Sequence, residues 1–236
     1  MKKKIMALCL AAIIAVIAIT GITLAYFTDT DTEDNVFTVG NVAIDLTENF
    51  DETLAHLIPS TGSFEEGTLK NGVTKEIFVT NTGSEKAYVR VHIAVPEILD
   101  EGNASFDAGE DVLHIGYDKN NIGAEKWSLN ASASSPYEEG FAYKTEIDGI
   151  RYNVYVVTYE SVLDKNEKTS SPITQVYLDS AVTNEDVTAV SEVLGGSWHV
   201  CVAAEGVQAN GFDNAYDALN TAFGYPGSEG YVLPWN

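Results

Sequence analysis

Residues 141–159 read FAYKTEIDGIRYNVYVVTY, and their reading decides the fold class. Asp148-Gly149 suits a two-residue hairpin turn in which both central residues take positive φ. Counting outward pairs Ile147 with Ile150, Thr145 with Tyr152, Tyr143 with Val154 and Phe141 with Val156. All four pairs fall on one face, apolar almost throughout, so turn chemistry and strand patterning demand the same register.

The same period-two pattern extends outward. In EKAYVRVHIAV, residues 85–95, Ala87, Val89, Val91, Ile93 and Val95 share a face; Lys86, Tyr88, Arg90, His92 and Ala94 share the other. This is a strand with one buried face, ended by Pro96. Val73, Ile77 and Val79 mark a strand over 73–80, after an Asn71-Gly72 turn. Further strands are expected at 35–46, 112–117, 173–180 and 198–207. In the first of these the apolar phase changes across Gly40-Asn41, which reads as a bulge or bend. Two short helices are expected. One covers 184–194, capped by Thr183 or Asn184 and stopped by Gly195-Gly196; the other covers 214–223, capped by Asp213 and followed by Gly224. Residues 98–111 and 128–140 read as polar loops. Short alternating strands with few helices predict an all-β fold, an antiparallel jelly-roll-like β-sandwich with two or three short helices.

Residues 1–25 stand apart. Lys2, Lys3 and Lys4 precede the uncharged stretch 5–25, which ends Thr23-Leu24-Ala25. This is the pattern of a secretory signal helix cut between Ala25 and Tyr26. The same 21 residues are long enough to span a bilayer as a retained anchor. The expected organisation is a signal peptide at 1–25, an acidic leader at 26–34 and a single β-sandwich domain at 35–236.

Charge narrows the function. The whole chain has a net charge of −22; without residues 1–25 it has 10 basic against 35 acidic side chains, a net −25. Phosphate contact needs a basic face, so nucleic acid is not an expected partner. Contact with the membrane is expected only through an uncleaved signal. A hydrophobic content of 45% and an aromatic content of 10% support a packed core rather than disorder. Cys9 lies in the signal segment, which leaves Cys201 alone and no internal disulfide.

No residue constellation announces catalysis, and no catalytic residue is assigned. HExxH, GxSxG and Walker patterns are absent from the sequence. His56, His92, His114 and His199 lack zinc-site spacing and read as isolated, partly exposed histidines. Cys201 with His199 two residues away is a weak nucleophile pair; a small residue in a buried strand is the plainer reading. Asp29, Asp31 and Glu33 begin like a calcium loop without its Gly or distal Glu, and Asp107 and Asp111 sit in a second oxygen-rich loop. Weak calcium binding or plain solvated acidic loops both fit, and no other cofactor is expected. Tyr117, Trp127, Tyr137 and Trp235 are candidate stacking platforms for a carbohydrate.

The junction LAYFTDTDTEDNVFTVGNVAIDLTE, residues 24–48, resembles the N-terminus of the TasA/camelysin/CotN-like family, exported proteins of Bacillota matured by a SipW-type signal peptidase. The resemblance lies in Ala25-Tyr26-Phe27-Thr28-Asp29 and in the pattern Phe37 to Leu46. VTNTGSEKAYVRVHI (79–93) and AAEGVQANGFDNAYDALNTAFG (203–224) are similar to the family as well. The resemblance implies a secreted jelly-roll-like protein of the cell surface, biofilm matrix or spore coat. It also implies self-association into fibres by an N-terminal strand inserted into the next subunit. Here that assembly segment would contain Tyr26, Phe27, Phe37 and Val39. A disordered tail followed by an ordinary edge strand is the other reading of these residues. The metalloprotease label of camelysins has no motif behind it in this chain. A surface adhesin or carbohydrate-binding module is the main alternative, and a camelysin-type protease a further one.

Overall fold

The alternation read along the chain forms nine strands among the described residues: β1 (Ile44–Phe50), β2 (Val73–Asn81), β3 (Ala87–Pro96), β4 (Leu113–Tyr117), β5 (Trp127–Ser128), β6 (Tyr143–Ile147), β7 (Ile150–Leu163), β8 (Ile173–Leu178) and β9 (Cys201–Gln208). This computed structural model describes residues 41–50, 57–100, 112–123, 125–129, 141–195 and 199–235, which belong to the compact unit Gly40–Asn236. The signal segment, the cleavage site Ala25/Tyr26, the leader, Phe27, Phe37 and Val39 lie outside the described residues, as do Asp29, Asp31, Glu33, Asp107 and Asp111.

The hairpin forms in the expected register. Asp148 and Gly149 take φ of 52° and 81°, and Ile147 pairs with Ile150, Thr145 with Tyr152 and Tyr143 with Val154. Phe141 is buried but precedes the ladder, which begins at Tyr143. β7 runs on to Leu163, beyond the residues that suggested it, because its second half pairs with β3 and with β5. Ser128, read as loop, belongs to β5.

The strands make two antiparallel sheets, in orders β1-β2-β8-β4 and β5-β7-β3-β9, with β6 added to β7. Ile77 and Val79 of β2 and Ile173 of β8 pack with Val89, Val91 and Ile93 of β3, Val157 of β7 and Trp127 of β5 in one fully buried cluster. Each such side chain contributes about 1.5–3 kcal/mol by leaving water. The core therefore lies between the two sheets, and both contribute to it.

Both expected helices form. Asn184–Leu194 opens with a capping box in which Thr183 Oγ1 accepts the Asp186 N–H at 3.3 Å and Asp186 Oδ2 accepts the Thr183 N–H at 2.7 Å. It closes on Gly195 at φ 77°. Its Val190 and Leu194 bury against Val95, Leu99, Leu113 and Leu178. The second helix is Ala215–Phe223, and its cap is Asn214 rather than Asp213: Asn214 Oδ1 accepts the Asp217 N–H at 2.9 Å.

One expectation about β3 is overturned. Beyond Lys86, which is exposed, the face expected to be polar does not meet water: Tyr88, Arg90, His92 and Ala94 are all buried. The Ala215–Phe223 helix packs over Tyr88, and the C-terminal segment 225–235 brings Tyr231, Leu233 and Trp235 against Ala94, Tyr143 and Val154. β3 is thus covered on both faces, although its sequence alternates like a one-sided strand.

Candidate functional site

Two regions have the chemistry and geometry of a site: the sheet edge at Asn41–Ile44, and a buried polar cluster under the C-terminal segment.

At the edge, Asn41–Ala43 are tied to the 82–84 loop. Ala43 O accepts the N–H groups of Thr82 and Gly83 at 2.8 and 3.0 Å, and Asn41 N–H donates to Ser84 Oγ at 3.0 Å. Backbone comes so close here that a side chain at Gly83 would collide with Asn41 and Ala43. From this tie β1 runs along β2, pinned by the nearly buried Lys75, whose Nζ lies 2.6 Å from Glu48 Oε2. Among the described residues β1 pairs only with β2, and β9 only with β3. The two edge strands meet: an added Cβ on Gly206 of β9 would fall 2.7 Å from Ile44 Cγ2 of β1. Ile44, Leu46, Val202 and Ala204 turn toward the inter-sheet core yet stay half-buried.

The cluster sits on the outer face of β3 and β9. Arg90, His92 and Glu205 are 1%, 0% and 7% exposed. Arg90 Nε donates to Glu205 Oε2. Its Nη1 donates to Asn220 Oδ1 at 2.8 Å and its Nη2 to Gly224 O at 3.1 Å. The guanidinium carbon lies 5.8 Å from the Phe223 ring centre and 5.6 Å from that of Tyr231. His92 Nε2 lies 3.1 Å from Glu205 Oε2 and Nδ1 lies 3.1 Å from the Tyr143 hydroxyl. A carboxylate only accepts, so Nε2 holds the hydrogen and Nδ1 accepts from Tyr143 O–H. The Tyr231 hydroxyl donates to Glu205 Oε1 at 2.9 Å.

Burial holds the His92 pKa below the ordinary histidine value, with Arg90 adding to the lowering against the opposing pull of Glu205. For Glu205 burial acts upward, but the His92 and Arg90 donors outweigh it and hold the carboxyl below its usual range. Burial pushes the Tyr143 and Tyr231 phenols well above theirs. Beside this cluster opens a pocket of about 500 Å³ lined by Phe141, Tyr143, Lys144, Tyr231 and Leu233.

The structure corrects several expectations. His92 is not a partly exposed histidine but a wholly buried one. His114 Nε2 lies 2.8 Å from Asp179 Oδ2, and its ring stacks on Tyr177 at 5.0 Å. His199 is exposed. Cys201 packs with the Tyr152 cluster, where burial raises its thiol pKa. Among the described residues no group of three His, Cys, Asp or Glu side chains is arranged to hold a metal, so they do not fit a zinc centre. Trp127 is no stacking platform: it is 0% exposed, its Nε1 donating to Ser170 O at 2.8 Å. Tyr117 and Trp235 are half-buried, and Tyr137 lies outside the described residues. Val112 N–H donates to Leu99 O at 3.0 Å. Asp100 accepts from Asn153 Nδ2 and the Tyr155 hydroxyl, each at 2.8 Å.

The cluster at Arg90, His92 and Glu205 was missed in the sequence. Its only signal was two polar residues, Arg90 and His92, alternating within the most apolar strand. Comparison with known proteins adds one family: residues 1–90 match the model of the camelysin metallo-endopeptidase family. No curated protein and no solved structure matches the chain. The matched stretch contains the Ala25–Asp29 junction, the Phe37–Leu46 pattern, β1 and β2, and it is similar to that family over these residues.

Proposed function

We propose that the chain is an exported, non-enzymatic structural protein of the cell surface or biofilm matrix, cut after Ala25, which assembles by giving residues 26–39 as a strand to the next copy. The observation behind this reading is the meeting of two edge strands, β1 and β9, beside the tie that Asn41–Ala43 make to the 82–84 loop. An edge offers unpaired backbone donors and acceptors, and half-buried apolar side chains beside it offer pockets for an incoming strand. Tyr26, Phe27, Phe37 and Val39 supply apolar side chains for them.

Charge favours β9 as the receiving edge. β1 exposes Asp45, which repels a leader containing Asp29, Asp31, Glu33 and Asp34, while its Glu48 is paired with Lys75. β9 has one carboxylate, Glu205, and that one is turned inward onto Arg90 and His92. Head-to-tail donation repeats without closing and yields a filament. The strand order is in keeping with the jelly-roll reading: β2, β4 and β8 lie in one sheet, and β3, β5 and β7 in the other.

The test compares the chain starting at Tyr26 with one lacking residues 26–39, by electron microscopy and sedimentation across pH and calcium. Filaments from the first and monomers from the second support the reading; monomers from both sink it. The pocket beside Tyr143 and Tyr231 favours a second reading, a carbohydrate-binding module. Glycan-array binding by a monomer that forms no filaments would select it.

A further inference from the structure

The Arg90–His92–Glu205 cluster is covered by residues 225–235, a segment with no helix or strand. It reaches the sheet through Tyr231, Leu233 and Trp235. The Tyr231 ring stacks 6.1 Å from His92, and the Trp235 ring meets His92 edge-on at 6.3 Å. The fit is close: an added Cβ on Gly227 would fall 2.9 Å from Tyr143 Cβ.

The charges under this cover balance while His92 is neutral, one guanidinium against one carboxylate. The titratable groups that face His92 are Arg90 on its own strand, Glu205 on β9, Tyr143 on β6 and Tyr231 in the segment. Cys201, further along β9, turns to Tyr152. β7 sets Val156 opposite His92, with Val154 and Thr158 two residues to either side, and the Ala215–Phe223 helix sets Asn220 against Arg90. No second carboxylate faces the imidazole among the described residues.

Protonation at Nδ1 turns the acceptor of the Tyr143 hydrogen bond into a donor, so that hydroxyl must turn its hydrogen away. It also leaves a buried positive charge in excess, and a buried uncompensated ion draws in water or forces the cover apart. β3 and β9 are held by a continuous ladder; the segment has none and is the part that yields.

We propose that His92 is an acid sensor that unseats residues 225–235 from the outer face of β3, β6 and β9 as the pH falls. Release bares Tyr143, Tyr152 and Val154 of the sheet and so changes the surface the protein offers to its surroundings. The low pKa of the buried imidazole sets the direction: release comes on the acid side of about 6.5, the value of a free histidine.

The experiment is backbone and histidine-ring NMR of the purified chain between about pH 7.5 and about pH 4.5. The expected result is that 225–235 amides have rigid heteronuclear NOE values at the upper pH and lose them with the midpoint of the His92 ring titration, while β3, β7 and β9 stay rigid. His92→Gln is expected to keep the segment ordered at about pH 5, since glutamine takes no charge. Tyr231→Phe keeps the ring but removes the hydroxyl that donates to Glu205, and is expected to move the midpoint upward by roughly half a unit. A segment that stays ordered throughout, an unchanged midpoint in His92→Gln, or an unchanged midpoint in Tyr231→Phe each overturns the proposal. Should His92→Gln not fold, the parent titration and Tyr231→Phe decide.

Discussion

His92 Nε2 lies 3.1 Å from Glu205 Oε2, across 113 residues of chain. The contact joins β3 to β9 on the outer face of the five-stranded sheet, beside the buried ion pair that Glu205 makes with Arg90. Breaking such a pair by removing one partner leaves the other charge buried alone. Glu205→Ala is expected to lower stability by about 3–5 kcal/mol, read as a fall in the urea midpoint with unchanged slope. A loss of about 1 kcal/mol or less would show that water solvates Arg90 in the folded state.

Acid sensitivity follows from the same residues. The folded protein holds His92 below its ordinary pKa, so below about 6.5 the unfolded chain takes up a proton that the folded chain refuses. Stability therefore falls as pH drops through that range. Glu205, held low, contributes stability that is present above the ordinary glutamate value of about 4.3 and lost as pH falls through its folded value. Urea midpoints measured from about pH 8 to about pH 5 are expected to decline below neutrality, and His92→Gln to flatten that decline.

Trp127 separates a structural side chain from a binding platform. It is wholly buried, with its ring in edge contact with Tyr159 at 5.1 Å. Trp127→Ala is expected to cost about 3–5 kcal/mol in chemical denaturation. Normal stability with loss of glycan binding would reverse the assignment.

The β1–β9 contact is testable without reference to assembly. Gly206 has no room for a methyl group under Ile44. Gly206→Ala is expected to destabilise by about 1–3 kcal/mol. Adding Ile44→Ala vacates the clashing atoms, so the double variant should be more stable than the sum of the singles by over about 0.5 kcal/mol. Additive effects would mean the two strands do not press on one another.

At the hairpin, Gly149 sits at φ 81° with open space around it. Only backbone strain opposes a side chain there. Gly149→Val is expected to cost about 1–2 kcal/mol in thermal or urea unfolding, and Asp148→Asn to be nearly neutral, because Asn accepts the left-handed region. Equal losses from both would point to a lost side-chain contact instead.

Much of the fold was legible because its signals are local. Alternation with period two placed β2, β3, β4 and β8 to within a few residues, and Asp148-Gly149 set the β6–β7 register, since a slip of one residue would turn Tyr143 and Val154 outward. Thr183 and Gly195 bounded the first helix for the same reason: caps act within one turn. Ser128 and the long second half of β7 were not legible, because they are strands only by virtue of partners far away in the chain.

By itself the sequence determined the elements, the acidic balance and the family signature of residues 1–90. Tertiary structure alone decided the surroundings of each side chain. Arg90 and His92 sit on what reads as the wet face of a strand, and Trp127 reads as an exposed stacking platform. The first two are buried because the helix at 215–223 and the segment at 225–235 fold back onto β3, more than 120 residues upstream. Periodicity reports which residues share a face; what covers that face is set by chain that returns from elsewhere, and no local pattern records it.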